Sequence, residues 1–263
     1  MNVTFAHYGE SVASSRLRAI IPQEALERIG VGKGKDVLVY GKHFVTDEQL
    51  THFKRKIYDV CDDHFENPEL KDYYLKHCES ADSVTCNSEA MRDRIKQVTG
   101  RDAFIVNEPY ESPRVWPSIG EKLLWYGHST NFKDLERISP FLKHPLLALS
   151  NHPDSAGWSF DMQRQALMTD CIVIIPTGKS LCKSENRMVE AIRNGKYVCA
   201  EHLPAYEKFS QFFDLGDIPE HIDRALSNPK DSLERVEAAQ EFISDRYSPE
   251  TIAKQWIEVL HAT

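Results

Sequence analysis

The run CIVIIPTGKS, residues 171–180, carries an apolar strand into Gly-Lys-Ser. Those three letters end the phosphate-cradling loop of nucleotide hydrolases, G-x-x-x-x-G-K-[ST]. There a first glycine turns the chain so that backbone N–H groups surround the phosphates. Five residues before Gly178 stands Val173, inside the strand, so the loop would be made of Ile174, Ile175, Pro176 and Thr177. β-branched residues and a proline without an N–H do not make such a cradle. Gly178, Lys179 and Ser180 therefore read as the loop leaving a buried strand.

The next stretch, KSENRMVEAIRNG, suits anion chemistry better. It reads as a helix capped by Ser184 and stopped at Gly195. Lys183, Arg187, Glu190 and Asn194 fall at i, i+4, i+7 and i+11 on one polar stripe, and Met188, Val189, Ala191 and Ile192 fill the other side. A first turn with unpaired N–H groups, a positive dipole end and two cations is an anion site without a glycine-rich loop. Glu190, further along the same face, can accept hydrogen bonds from a sugar diol. A nucleoside diphosphate would use both ends. The competing reading is a solvated face carrying an Arg–Glu i, i+3 pair.

Two further stretches carry polar chemistry. YDVCDDHF sets Asp59, Asp62, Asp63 and His64 at the end of a strand, where ligands of open α/β sheets bind. A carboxylate there can orient an acceptor hydroxyl or support an oxocarbenium-like transition state. The alternatives are a divalent-metal site and a helix-capping cluster ahead of Asn67. GESVASSRLR, residues 9–18, follows the first strand. Gly9 and Ser15 permit close approach of an acceptor, and Arg16 and Arg18 carry charge toward phosphate or an anionic group.

The elements that position these residues alternate along the chain. Strands are expected at Val3–His7, 36–40, 56–61, 83–88, 103–107, 122–127, 145–151, 171–176 and 196–200. Helices stand between them, among them NPELKDYYLKHCESA, SEAMRDRIKQVTG and DMQRQALMT. Repeated βα alternation predicts parallel sheets covered by helices. Residues 107–121, NEPYESPRVWPSIGE, interrupt it with three prolines and no periodicity. Two α/β domains follow as the expectation: 1–108, a linker 109–121, and 122–246. A capped amphipathic helix, 247–263, would pack back on the first.

The 263 residues, 41% hydrophobic and 27% charged, describe an ordinary globular chain. A net charge of −8 disfavours a nucleic-acid partner, since phosphate recognition leaves a basic footprint. No apolar run approaches the ~20 residues of a membrane span. The first residues lack a signal peptide's pattern, and six cysteines without CxxC spacing read as buried thiols of a cytoplasmic protein.

With these residues in view, the sequence resembles the GT-B glycosyltransferases, in particular the large family four of retaining, nucleotide-sugar-dependent enzymes, in a compact form. The likeness is carried by MTDCIVIIPTGKSLCKSENRMVEAIRNGKYVCAEHLPAYEKF, and at lower stringency by YGESVASSRLRAIIPQEALERIG and CESADSVTCNSEAMRDRI. It implies two Rossmann-like domains facing across a cleft, with donor on the second and acceptor on the first. Glu190 matches the second Glu of the family's E-x7-E motif, which holds the donor ribose. The first Glu, which contacts the transferred sugar, is replaced by Cys182. Lys183, Asn186 and Arg187 are implied to meet the diphosphate. Gly127, His128 and Asn131 line the loop after the second domain's first strand, where the family's usual Arg/Lys pair is missing, and Asn151 and Trp158 are implied to pack the base.

Asp62 stands where the family commonly has a His facing the sugar, with Asp63 and His64 beside it. The expectation is a hexosyltransferase that uses a nucleotide sugar as co-substrate, with no other cofactor and no metal, and a glycan or other hydroxyl acceptor. The rivals are a non-catalytic sugar-nucleotide-binding protein, a glycosyltransferase acting on a modified base in DNA, and another Rossmann-like enzyme such as an epimerase.

Overall fold

The computed structural model describes residues 1–178 and 181–262, so Lys179 and Ser180 of the Gly-Lys-Ser tripeptide lie outside the described residues. The chain is α/β, with two all-parallel sheets and helices. It divides into two compact units, residues 1–111 with 181–184 and 245–263, and residues 112–180 with 185–244.

In the first unit the strands are β1 (Val3–Phe5), β2 (Val37–Tyr40), β3 (Arg55–Val60), β4 (Ser83–Cys86) and β5 (Phe104–Ile105), in that spatial order. Short β-branched runs buried on both faces are what a helix-covered parallel sheet requires. Alternate residues feed separate cores. Val37 and Val39 join one, and Leu38 and Tyr40 the other.

The connections are helical. After β1 come α1 (Ala13–Ser15), a π-helical turn Arg16–Ile20, and α2 (Ile21–Arg28). The later crossovers are α3 (Asp47–Thr51), α4 (Lys71–Ser80) and α5 (Glu89–Thr99). The Ser88 side chain caps α5 by accepting from Met91 N at 3.2 Å, and Gly100 ends it at φ 73°. The helix expected to open at Asn67 instead begins at Lys71. Asn67 Oδ1 accepts from Glu69 N at 2.9 Å, which spends the side chain on a separate turn before Leu70.

The second unit holds β6 (Lys122–Tyr126), β7 (Leu146–Leu149), β8 (Cys171–Ile175) and β9 (Tyr197–Ala200), ordered β7-β6-β8-β9. Its helices are α6 (Phe132–Ile138), α7 (Phe160–Leu167), α8 (Asn186–Arg193), α9 (Ile218–Ser227) and α10 (Pro229–Arg246), the last crossing the division between the units near its end. The order reverses between β6 and β8. In open α/β sheets such a reversal leaves a crevice beyond the strands' carboxyl ends where ligands bind.

The proline-rich segment is stitched down within this unit. Val115 N donates to Arg193 O and Ser118 N to Gly195 O, each at 3.0 Å, and Gln240 Nε2 donates to Val115 O at 2.8 Å.

The final helix, α11 (Pro249–Ala262), belongs to the first unit and lies against α2. Ser248 Oγ caps it, accepting from Thr251 N at 3.1 Å. Ile252, Trp256, Val259 and Leu260 fill one core with Val3, Phe5 and Leu26.

Candidate functional site

β6 and β8 end at the reversal of the second sheet, and the residues just beyond them decide what can bind there. After β8, the backbone N–H of Thr177 donates to Glu201 Oε2 at 2.8 Å. A Cβ on Gly178 would lie 2.8 and 2.9 Å from the two carboxylate oxygens of Asp134. Two carboxylates thus occupy the ground that a phosphate would need, so the described part of the PTGKS turn is no phosphate cradle.

Beyond β6, Gly127 comes close to the start of α8. A Cβ there would stand 3.1 Å from the Trp125 ring and 3.5 Å from Arg187 Nη1. Arg187 Nη1 donates to Tyr126 O at 3.4 Å, and Tyr126 Oη donates to Arg187 O at 3.1 Å. The guanidinium therefore rests on the carboxyl end of β6. Burial, with the Glu190 charge adding to it, pushes the Tyr126 hydroxyl well above its ordinary pKa, so it stays a neutral donor.

Glu190 lies one turn further along α8 and is buried. It is no solvated face. Ser112 Oγ and Asn194 Nδ2 both donate to its Oε1, the latter at 3.1 Å. A buried carboxylate needs such donors. α8 begins at Asn186, with Glu185 rather than Ser184 at the cap position and no side chain closing the first turn. Its positive end and the Arg187 cation make an anion-binding combination.

Ser184 has a different partner, donating to Glu108 Oε2 at 2.5 Å within the first unit. Lys183 precedes the helix, belongs to the first unit's segment 181–184, and so does not continue the Arg187–Glu190–Asn194 stripe. Cys182 is buried in the first unit's core, its Sγ 3.7 Å from Ala90 O. Burial, with Asp63 adding to it, pushes the thiol up to about 11.

The loops after β6 and β7 bring His128 and Asn151 together. Ser129 N donates to Asn151 Oδ1 at 2.8 Å, and Asn151 Nδ2 lies 3.5 Å from His128 Nε2. Asn131 closes the same turn through its N–H to His128 O at 2.9 Å. Trp158 is partly exposed and donates its indole N–H to Gln163 at 3.0 Å, on α7.

On the first unit the acidic cluster is divided among cations. Arg18 donates to both carboxylate oxygens of Asp59, at 2.9 and 2.5 Å, and to Val106 O, while Thr85 Oγ1 adds a bond to Asp59 at 2.7 Å. Burial alone would lower the Arg18 pKa, but the Asp59 charge and hydrogen bonds raise it above its ordinary value. Asp63 accepts from Arg94 Nε at 3.2 Å and from Phe65 N at 3.3 Å. The His64 ring meets Tyr74 edge-on at 5.2 Å.

Asp62 is the least buried carboxylate of the cluster, paired with Lys42 Nζ at 2.8 Å. Desolvation works against its ionisation, yet Lys42 outweighs this and holds its carboxyl below the ordinary value. Carboxylates each paired with Arg or Lys do not form the convergent set a divalent cation needs. Gly9 sits at φ 102° with open space at its Cβ position. Ser15 Oγ accepts from Tyr8 N at 3.1 Å, and Arg16 is bound bidentately by Glu111, at 2.6 and 3.1 Å.

Sequence reasoning missed Ser112, which fixes Glu190, and the Asp134 and Glu201 carboxylates beside the β8 turn. Ser112 lies in a proline-rich stretch with no periodic signal, and all three act through tertiary contact. Asn194 was visible as the end of the polar stripe.

No protein-family model and no curated protein matches this chain. Solved structures do. The crystal structure of Anabaena Alr3699/HepE in complex with UDP-glucose superposes with a TM-score of 0.73 at 13% identity, covering 99% of each chain. The same protein in complex with UDP gives 0.72 at 13% identity over 100% of each chain. At that identity the likeness is one of fold, and it spans the whole of both chains.

Proposed function

We propose that the chain is a glycosyltransferase that moves a hexosyl group from a nucleoside diphosphate sugar to an acceptor hydroxyl, with retention and without a resident metal or other cofactor. The observation that carries this reading is the placement of Arg187 beside Gly127 at the strand-order reversal of the second sheet, with Glu190 one turn further along α8. A protein of the same fold was crystallised with UDP-glucose and with UDP, which makes UDP the first nucleotide to try.

In the reaction the bond from the anomeric carbon to the diphosphate breaks, a bond from that carbon to the acceptor oxygen forms, and the acceptor's hydroxyl proton passes to the departing diphosphate. Negative charge grows on the diphosphate, and Arg187 with the uncapped end of α8 is arranged to stabilise it. Glu190, held by Ser112 and Asn194, is assigned to the ribose diol. His128 and Asn151 supply hydrogen bonds to the nucleoside. On the first unit, Asp62 is assigned to the acceptor hydroxyl, as the least buried carboxylate of its cluster, kept ionised by Lys42.

UDP is expected to raise the melting temperature of the wild-type protein. Replacing Arg187 by Ala is expected to weaken UDP binding about 10- to 100-fold, the loss of one charged hydrogen bond, and Glu190→Ala about tenfold. A wild-type protein that no nucleoside diphosphate stabilises would overturn the reading. NMR of the product's anomeric proton tests retention, and activity undiminished by EDTA tests metal independence.

A second reading, nucleotide-sugar binding without transfer, is favoured by Cys182. The residue standing for the sugar-contacting Glu is a neutral buried thiol in the core of the first unit. Nucleotide binding without donor hydrolysis or transfer over a panel of UDP-sugars would support it.

A further inference from the structure

We infer that the outer edge of β7 is a docking strip for an extended segment of another protein, one that sets a basic residue two positions from an apolar one. The strip stands apart from the transferase reading and uses none of the residues assigned to donor or acceptor. β7 is the outermost strand of the second sheet. β8 and β9 are buried at every residue, whereas Leu149 alone is buried in β7, and Leu147 is 41% exposed. Natural edge strands are ordinarily guarded by charge, proline or a covering element. Pro145 stands just before this one, and its own four residues, Leu-Leu-Ala-Leu, carry no charge.

The backbone of β7 is open on the same side. Leu123 N donates to Pro145 O at 2.8 Å and Gly127 N to Leu149 O at 3.1 Å, so residues 145, 147 and 149 turn toward β6. Strand residues alternate in direction, and Leu146 and Ala148 point their N–H and C=O groups outward. The chain loops back after β7, and Ala156 N donates to Ala148 O at 3.0 Å. Among the described residues the N–H and C=O of Leu146 and the N–H of Ala148 have no partner.

Beside this edge lies a cleft of about 460 Å³, within the roughly 300–1,000 Å³ typical of ligand pockets. Leu135, Leu146, Leu147 and Ala156 give it apolar walls, and the Phe132 ring that also lines it is stacked on His152 at 3.9 Å. Its hydroxyls are spent within the chain, Ser139 Oγ on Leu135 O and Ser155 Oγ on His152 O, each at 2.7 Å. Its charged groups are Glu136 and Asp154, and no Lys or Arg lines it. Glu136 has no ion-pair partner among the described residues. Asp154 has only His152 Nδ1, 3.8 Å away, a nitrogen that accepts from Asp154 N.

An extended peptide meets all three features at once. Its main chain pairs with Leu146 and Ala148, as in strand addition. Side chains two residues apart share a face, so an apolar one enters the cleft while a cation reaches the carboxylates. A small apolar amine would leave the strand edge unmet. A second copy of this chain has no cation in its own β7 and would add two more carboxylates.

A positional-scanning library of fluorescent heptapeptides, read by anisotropy against the full chain, tests this. Enrichment of Lys or Arg two positions from Leu, Ile or Val is expected. The double variant Glu136→Lys/Asp154→Lys is expected to weaken binding of the best peptide about tenfold or more. Both residues are exposed, and an unchanged melting temperature checks that the variant is folded. N-methylation of the peptide's amides gives a second readout that needs no variant. Blocking one alternate set should abolish binding, and blocking the other should change it less than twofold, because only one set faces β7. No enriched peptide, binding unchanged in the double variant, or equal effects of the two N-methyl sets would overturn the inference. Dodecylamine bound more tightly than every peptide, or a sedimenting dimer that Leu147→Asp dissolves, would overturn it in favour of an amine or of a second copy.

Discussion

Several charged residues that look reactive in a one-dimensional reading are held by their partners in the folded chain. Arg18 and Asp59 form a buried pair closed by Thr85 and the Val106 carbonyl. Replacing Arg18 by Met strands the Asp59 carboxylate in the core and is expected to cost about 3–5 kcal/mol, read from urea unfolding. Glu201 gives a pH signature. Burial opposes its ionisation, but hydrogen bonds from Arg137 and Thr177 N outweigh this and lower its pKa. A lowered folded value means its contribution is complete at neutral pH. That contribution is lost as pH falls from the unfolded glutamate value of 4.5 through the lower folded one. The Glu201→Gln variant should therefore show a flatter fall in urea midpoint between about pH 5 and pH 3 than the wild type.

At the scale of elements, α8 is the part on which most of the donor assignment depends, and its ends are fixed in different ways. Its carboxyl end stops at Gly195, φ 71°, where a Cβ would come within 2.4 Å of Trp116 O and 2.8 Å of Val115 O. Gly195→Ala combines left-handed strain with a backbone clash and is expected to destabilise the protein by about 2–4 kcal/mol. The same change should loosen the segment carrying Ser112 and lower UDP affinity. Calorimetric titration at a temperature where the variant remains folded separates the two effects. The amino end of α8 departs from the expected Ser184 cap: the helix begins at Asn186, with Glu185 at the cap position, and Ser184 instead donates to Glu108.

Across the molecule, each unit's sheet needs cover on both faces, and the first unit obtains part of its cover from the last residues of the chain. Trp256 of α11 is fully buried, meeting Phe5 edge-on at 5.0 Å with Arg18 6.0 Å from its ring. Trp256→Ala is expected to cost about 3–5 kcal/mol of stability in the first unit, measured by chemical denaturation. No helix among the described residues is long and apolar enough to cross a membrane. All six cysteines are free and buried.

The sequence by itself determined where the strands lie and that they are parallel, because short β-branched runs separated by helical periods admit little else. It also marked Arg187, Glu190 and Asn194 as one face of a helix, since their spacing is a property of the chain alone. Only the tertiary structure decided the order β7-β6-β8-β9, which puts the reversal beside Gly127. Only it began α8 at Asn186, so that Lys183 and Cys182 precede the helix instead of joining its stripe. Periodicity reports which way a side chain faces within its own element. Whether a carboxylate is a ligand group or half of a buried pair depends on which cation, tens of residues away, the fold brings to it. For CIVIIPTGKS, that dependence made Cys171–Ile175 a central strand of the second sheet and gave the described part of its turn to Glu201 and Asp134.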